Sequence, residues 1–360
     1  MPDVLLFGAT GYTGALTAEA LSRRDIDFVV AGRDPAKLEA VAARTGASDA
    51  RRAEVGDIDG LVQALSDVKV MITTVGPFEQ LGDTAAEAAL RAGVHYLDST
   101  GETAFIDHLV ERYGARAEDA GIVMAPAMGF DEVPADVASS LAVEGLERPD
   151  LVLTYAVPRT ASTGTLRTLT ANIASRDARW VSDGRPTTVA SASRKRWAPM
   201  PDPLGPKLSI AFPFAIGALA PMHLDLKSLE LYGTVSRVEA GAIRASMPIV
   251  KRVLKTRVAQ GAIGVVLDRL PDGPGEAIRR AGRWTILAEA RSEGTVRSVA
   301  LSGVDIYGLT GETLAAGALK LAREGHANGG VMAPVAAIGL DTLHKELIAI
   351  GVDIQTYEPA

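Results

Sequence analysis

Val4-Leu5-Leu6-Phe7 runs straight into Gly8-Ala9-Thr10-Gly11-Tyr12-Thr13-Gly14 and then into the helical pattern Ala15–Leu21. A short apolar strand, a glycine-rich turn and a helix in that order build the first βα unit of a dinucleotide fold. Gly8 permits the tight turn, Gly11 lets the backbone approach a pyrophosphate, and Gly14 lets helix and strand pack closely. Free N–H groups and the positive helix end then face the anion. Gly8, Thr10, Gly11, Tyr12, Thr13 and Gly14 are therefore the first expected ligand contacts. The plainer alternative is a strand–turn–helix junction that holds nothing.

The second strand, Phe28-Val29-Val30-Ala31-Gly32, ends at Arg33. About 20 residues beyond the glycines is where the group facing the adenosine ribose is expected. An acid there would favour NAD, whereas a planar guanidinium suits a 2′-phosphate. Lys37, one helical turn further, adds a second positive charge. NADP(H) is therefore expected over NAD. Asp34 could be the ribose partner instead, but it reads better as the N-cap of a helix with Pro35 at its first position.

Alternating strands and helices continue to about Pro126: Val68–Val75, His95–Asp98 and Ile122–Met124 as strands, Pro35–Val41, Leu61–Leu65, Thr84–Ala92 and Phe105–Ala120 as helices. This alternation predicts an α/β fold, a Rossmann-type doubly wound parallel sheet. Longer strands with interleaved polar residues follow at Leu151–Val157, Ser228–Val235, Trp284–Arg291 and Val296–Val304. They predict a second α+β domain on a mixed or antiparallel sheet with one open face. Helices are expected over Thr165–Asp177, Thr313–Arg323 and Val335–Ile350, and Ser182–Pro206 reads as a loop excursion. The expected division is an NADP-binding domain over 1–128, a substrate or dimerisation domain over 129–325, and a segment over 326–360 that packs back on the first domain.

Ligands of such sheets bind beyond the carboxyl ends of the strands. Three loops qualify. Val75-Gly76-Pro77-Phe78 could bring Phe78 beside a nicotinamide, although a core phenylalanine is the bland alternative. Asp98–Glu102 offers Thr100 and Gly101 as cofactor contacts, with Glu102 as a helix-start acid. Ala125–Asp136 carries Asp131 past the last parallel strand. Asp57, after the expected third strand, either reaches the adenine or sits in a surface turn.

The chain has 360 residues, no cysteine, five histidines and a net charge of −7. Without cysteine there are no disulfides, thiolate nucleophiles or iron–sulfur sites, and the histidines lack metal-ligand spacing, so no metal is expected. The acidic balance argues against nucleic acid as a partner. No uncharged apolar run reaches the roughly 18 residues of a membrane span. The first strand starts at residue 4, so no signal or transit peptide is expected, and a cytoplasmic location is.

Taken together, Gly8–Gly14, Ala31-Gly32-Arg33, Val75–Phe78, Tyr96–Glu102, Gly129–Asp136, Thr163-Gly164-Thr165 and Gly329–Pro334 resemble the saccharopine dehydrogenase-like oxidoreductases, most of all their trans-acting enoyl reductase branch. The resemblance implies NADP(H) binding and hydride transfer to an enoyl C=C bond of a lipid or polyketide-like substrate. Reduction of a saccharopine-type imine is the alternative within the family, and a non-catalytic NADP sensor or scaffold the alternative outside enzymes. Glu132 and Ala135 stand where the family often has serine, which bears on the substrate more than on the cofactor.

Hydride transfer needs attack geometry, stabilisation of developing charge and a proton source. No tyrosine has lysine four residues on, so the short-chain dehydrogenase pair is absent in its sequence form. Tyr12 and Asp131 are the catalytic candidates, each with a structural alternative: packing over the pyrophosphate and helix capping. His223 reads more simply as a surface or core residue. The basic, apolar stretch Met247–Val258 could lie on a membrane surface or dock an acidic acyl carrier, although a solvated surface helix explains it too. A homodimer through the open sheet face is a further expectation.

Overall fold

The computed structural model describes residues 2–158, 177–241 and 273–357, with Ile243, Arg252 and Thr256 besides. The expected helix over 165–177, Asp177 apart, and nearly all of the basic stretch 247–258 lie outside these residues. The chain divides into two compact units, Met1–Val133 with Ile306–Ile350, and Pro134–Asp305 with Gly351–Ala360.

The first unit is a Rossmann-type layer structure. Strands β1 (Val4–Phe7), β2 (Phe28–Gly32), β3 (Asp49–Arg52), β4 (Val70–Thr73), β5 (His95–Asp98), β6 (Val123–Ala125) and β15 (Gly330–Val331) form one sheet in the order β15-β6-β5-β4-β1-β2-β3. Every pairing is parallel, with Val4 opposite Phe28 on one side and Val70 on the other. Helices cover both faces, so the central strands are continuously apolar and buried. Leu5, Phe7, Val29, Met71 and Tyr96 pack with residues of α3 (Ile58–Ala64), α4 (Phe78–Ala92) and α5 (Thr103–Asp119). α1 (Tyr12–Arg23) lies against α9 (Ile306–Glu324), so closely that a Cβ on Gly311 would sit 2.9 Å from the Leu16 carbonyl oxygen.

Several boundaries differ from expectation for local reasons. α4 starts at Phe78 rather than Thr84, and its Gly82 makes room for the Phe105 ring, which a Cβ would meet at 2.4 Å. α2 (Pro35–Thr45) starts as expected, with Asp34 accepting from the Lys37 N–H. The helix expected from Thr313 begins at Ile306, so the first unit resumes there rather than at 326. The expected last helix is two, α10 (Pro334–Ile338) and α11 (Leu340–Ala349), broken by Gly339 at φ +94°.

The second unit opens with α6 (Val133–Val143) and is built on a nine-stranded mixed sheet. Its strands are β7 (Asp150–Ala156), β8 (Ala178–Ser182), β9 (Arg185–Val189), β10 (Lys195–Ala198), β11 (Lys207–Ala211), β12 (Ser228–Thr234), β13 (Arg283–Ser292), β14 (Thr295–Val304) and β16 (Asp353–Tyr357). The main path is β10-β11-β12-β7-β13-β14-β16, with β8 bridging β12 and β9. Only β12–β7 is parallel among these pairings. The loop expected over Ser182–Pro206 is corrected: it contains β9, β10 and the end of β8. Asp183 and Gly184, both at positive φ, make the two-residue hairpin turn between β8 and β9. Leu208–Met222, the longest apolar run, resolves into β11, α7 (Ile216–Leu219) and a short 3₁₀ turn, and α8 (Glu276–Ala281) precedes β13. No helix among the described residues is long and apolar enough to cross a membrane.

Candidate functional site

β1 is flanked by β2 and β4, which continue the sheet in opposite directions, so the strand order reverses beside β1. The crevice at such a reversal, past the carboxyl ends, is where α/β sheets bind ligands. Here it is floored by glycine. Gly8 has φ +91°, and a Cβ on it would lie 2.8 Å from both Thr74 Oγ1 and Val75 Cγ2. A Cβ on Gly14 would lie 2.1 Å from the Gly8 carbonyl oxygen, which locks the first turn of α1 onto the end of β1. Gly11 is exposed at the N-cap of α1, and no side chain caps the helix there. An uncapped helix start behind a glycine floor is a ready site for an anion.

The loop after β4 forms the facing wall. Thr74 donates its N–H to the Phe7 carbonyl at 3.0 Å and its hydroxyl to the Gly8 carbonyl at 3.2 Å. Val75, Gly76 and Pro77 follow, and Val75 donates its N–H to Thr73 Oγ1. The Phe78 ring does not turn to the crevice. It is 6% exposed, packs with Phe105 at 5.7 Å between centroids, and belongs to the core. The bland reading of Phe78 is thus the one its packing supports.

At the end of β2, Arg33 is exposed and has no ion pair among the described residues. Lys37 is also exposed, with only a 3.9 Å approach to Asp34. Both cations are available to a ligand, whereas the Asp34 carboxylate is already capping α2. Asp57 caps α3 through the Gly60 N–H at 2.9 Å, a turn role that needs no adenine.

Past β5 and β6 the first unit buries three carboxyl groups, Asp98, Glu102 and Glu132, and half-buries a fourth, Asp131. Asp98, fully buried, accepts from the N–H groups of Thr100 and Ala127 and from the Tyr96 hydroxyl at 2.8–2.9 Å, tying the two strand-end loops together. Burial still pushes it up to about 6 against these hydrogen bonds. Thr100 accepts the Glu102 N–H on its hydroxyl, and Gly101 lies between. Glu102 is the acid whose role the sequence hid: its two oxygens accept from Phe78 and Glu79 N–H at 3.0 and 2.8 Å, capping α4 rather than its own helix. Burial raises Glu102 as well, with those two donors opposing. Asp131 is pushed up to about 6 by burial. Neighbouring Glu132, 3% exposed, is pushed well above the carboxylate range by burial first, then by the charges of Asp131 and Asp98. The group can therefore hold a proton near neutral pH.

Tyr12 meets Tyr307 edge-to-face at 5.3 Å, a packing contact between α1 and α9. In the second unit, His223 Nε2 lies 2.7 Å from Oδ1 of the fully buried Asp136. Burial works against its charge, but the Asp136 hydrogen bond and charge leave it raised overall. No group of three metal-ligating side chains occurs among the described residues.

Comparison with known proteins bears on this geometry. Residues 4–125 match the family described as saccharopine dehydrogenase NADP binding domain. The matched stretch comprises β1 through β6, and its glycine floor, its uncapped helix start and an Arg33 with no ion pair among the described residues fit NADP(H). A trans-acting enoyl reductase of Mycobacterium ulcerans is 34% identical over 200 residues, 53% of this chain and 44% of that protein. A lipid droplet localized protein of Caenorhabditis elegans is 31% identical over 147 residues, 38% of this chain and 34% of that one. The matched stretch thus spans less than half the length of these curated relatives. Among solved structures, apo saccharopine dehydrogenase (L-Glu forming) from Saccharomyces cerevisiae superposes with TM-score 0.65 over 100% of both chains at 14% identity. That likeness establishes the fold: a parallel Rossmann sheet with a mixed second sheet.

Proposed function

We propose that this chain is an NADPH-dependent reductase that adds hydride to the activated C=C bond of a lipid or polyketide-like acyl group presented on a carrier. The observation that carries the reading is the glycine-floored anion site beside β1, joined to relatives named for enoyl reduction at 31–35% identity. In this reading the N–H groups from Gly11 to Gly14 and the start of α1 hold the pyrophosphate. Arg33 and Lys37 hold the 2′-phosphate, as a guanidinium fork and a point charge respectively. Val75, Gly76 and Pro77, with Thr100 and Gly101, orient the nicotinamide half. NADPH bound there supplies the hydride.

Reduction leaves negative charge that a proton must quench. Asp131, held near 6 by burial, keeps a useful fraction of the acid form at neutral pH, so it is the proton-holding group in this proposal. Tyr12 is the weaker candidate, because its ring is engaged with Tyr307.

The test is NADPH oxidation with a panel of enoyl thioesters and of imine-forming amino acid–aldehyde pairs. Turnover with an enoyl thioester is expected. Turnover with the imine pairs alone would replace the enoyl reading, and tight binding without turnover on any substrate would make the protein a sensor. Arg33→Ala should weaken NADPH by on the order of tenfold or more while leaving NADH unchanged. Equal loss for both nucleotides would refute the 2′-phosphate assignment.

A further inference from the structure

The second unit carries a cationic, apolar surface on a chain whose net charge is −7. Among the described residues β10 is the edge strand of its sheet, and one side of its backbone has no strand partner there. Trp197 on β10 is 53% exposed, whereas Trp180 and Trp284 are 3% and 1% exposed. Its cross-strand partner is Leu208, whose carbonyl in turn accepts the Val235 N–H, so Trp197, Leu208 and Val235 make an apolar row at the sheet edge. Val238, four residues after the end of β12, is 84% exposed. Cations frame the row. Lys195 shares the Trp197 face of β10, and the Arg237 guanidinium stands 5.4 Å from the Trp197 ring centroid. Neither is in an ion pair among the described residues, while Arg196, on the opposite face, is paired with Glu289 at 2.8 Å.

A lysine on an edge strand also serves to discourage edge-to-edge pairing. That role does not account for a tryptophan left half in water beside an arginine that has no ion pair among the described residues. An aromatic anchor with an arginine beside it and a charged rim is the composition of a binding hot spot. The charge decides the occupant. A two-fold contact with a second copy would set like charges against each other, whereas an acidic partner completes the rim.

We propose that the β10 edge, centred on Trp197 and framed by Lys195 and Arg237, docks the acidic protein carrier that brings the acyl substrate. This deepens the reductase reading and rests on it for the identity of the cargo. Trp197 is the apolar anchor, and the two cations steer the carrier and set its orientation.

Trp197 is the exposed tryptophan, so acrylamide quenching of intrinsic fluorescence reports on this surface directly. The probe is an acidic acyl carrier protein loaded with a crotonyl group. Its addition should shield Trp197 from acrylamide, and the shielding should vanish at high salt and in Trp197→Phe. Trp197→Ala and the double variant Lys195→Glu with Arg237→Glu should raise KM for the loaded carrier on the order of tenfold or more. Turnover of the free crotonyl pantetheine thioester should stay within about twofold of wild type. Carrier binding without shielding, shielding that grows with the concentration of this protein alone, or variants that use loaded carrier as well as wild type would each overturn the proposal. Shielding by the carrier with no NADPH oxidation on either substrate would leave the docking surface standing and remove the reductase reading. Turnover of the free thioester without any response to the carrier would do the reverse.

Discussion

Gly11 and Gly14 lie one helical turn apart and should fail in different ways when given a methyl group. At Gly14 the new Cβ would sit 2.1 Å from the Gly8 oxygen, 2.8 Å from its carbonyl carbon and 2.9 Å from Ala9 Cα. All three are backbone atoms, so no side chain can swing away, and α1 must part from β1 by about 1 Å to restore contact distance. Overpacking of this kind costs roughly 1–3 kcal/mol, a fall in melting temperature on the order of 2–10 °C for a domain of this size. At Gly11 the backbone is extended, φ −80° and ψ 169°, and the added Cβ would lie 3.4 Å from the nearest atom. Alanine gains about 0.4–1 kcal/mol from a less free unfolded chain and gives back a similar amount as a poorer N-cap than glycine. Gly11→Ala should therefore melt close to wild type, yet its methyl projects into the anion site and should weaken NADPH tenfold or more, about 1.4 kcal/mol. Thermal unfolding and fluorescence titration with NADPH, run on both variants, separate the effects. Wild-type affinity in Gly11→Ala, or a wild-type melting temperature in Gly14→Ala, would refute the division of labour.

Two further outcomes follow from the buried acids. Glu102→Ala removes the acceptor for the Phe78 and Glu79 N–H groups and should cost about 1–3 kcal/mol in urea unfolding, so an unchanged midpoint would show that water replaces the cap. Asp131 is raised from 3.8 to about 6 on folding, so the folded state binds its proton more tightly than the unfolded chain. Its contribution is fully present below about pH 4 and lost as pH rises through 6, by at most about 3 kcal/mol and less because the residue keeps some contact with water. Asp131→Asn should thus gain stability over wild type at pH 7.5 but not near pH 4, and melting curves that differ equally at both pH values would contradict this.

Much of the first unit was legible because its signals are local. The glycine turn, the strand ending at Arg33 and the Asp34–Pro35 helix start each depend on residues within a few positions. The long strands β13 and β14 were legible for the same reason, their alternation running over ten residues each. β9 and β10 were not, because proline, serine and basic residues outweigh the pattern in strands of five and four residues. The Asp183–Gly184 turn was the signal that could have revealed the first hairpin. In the candidate site, the geometry of the glycine turn was readable but the work of Glu102 was not: its partners lie more than 20 residues earlier in the chain, and no spacing rule links them. Phe78 shows the converse, since a strand-end aromatic looks the same in sequence whether it faces a ligand or the core.

β16 pairs along β14 from Ser298–Tyr357 to Ser302–Asp353, although Ile306–Ile350 intervenes and belongs to the other unit. During synthesis β14 must therefore wait, its outer edge bare, while some fifty residues emerge and settle elsewhere. A ten-residue strand with a free edge is a template for pairing with another nascent chain. Expression trials that trim the protein before Asp353 would make that exposure permanent, and inclusion bodies would be the expected product.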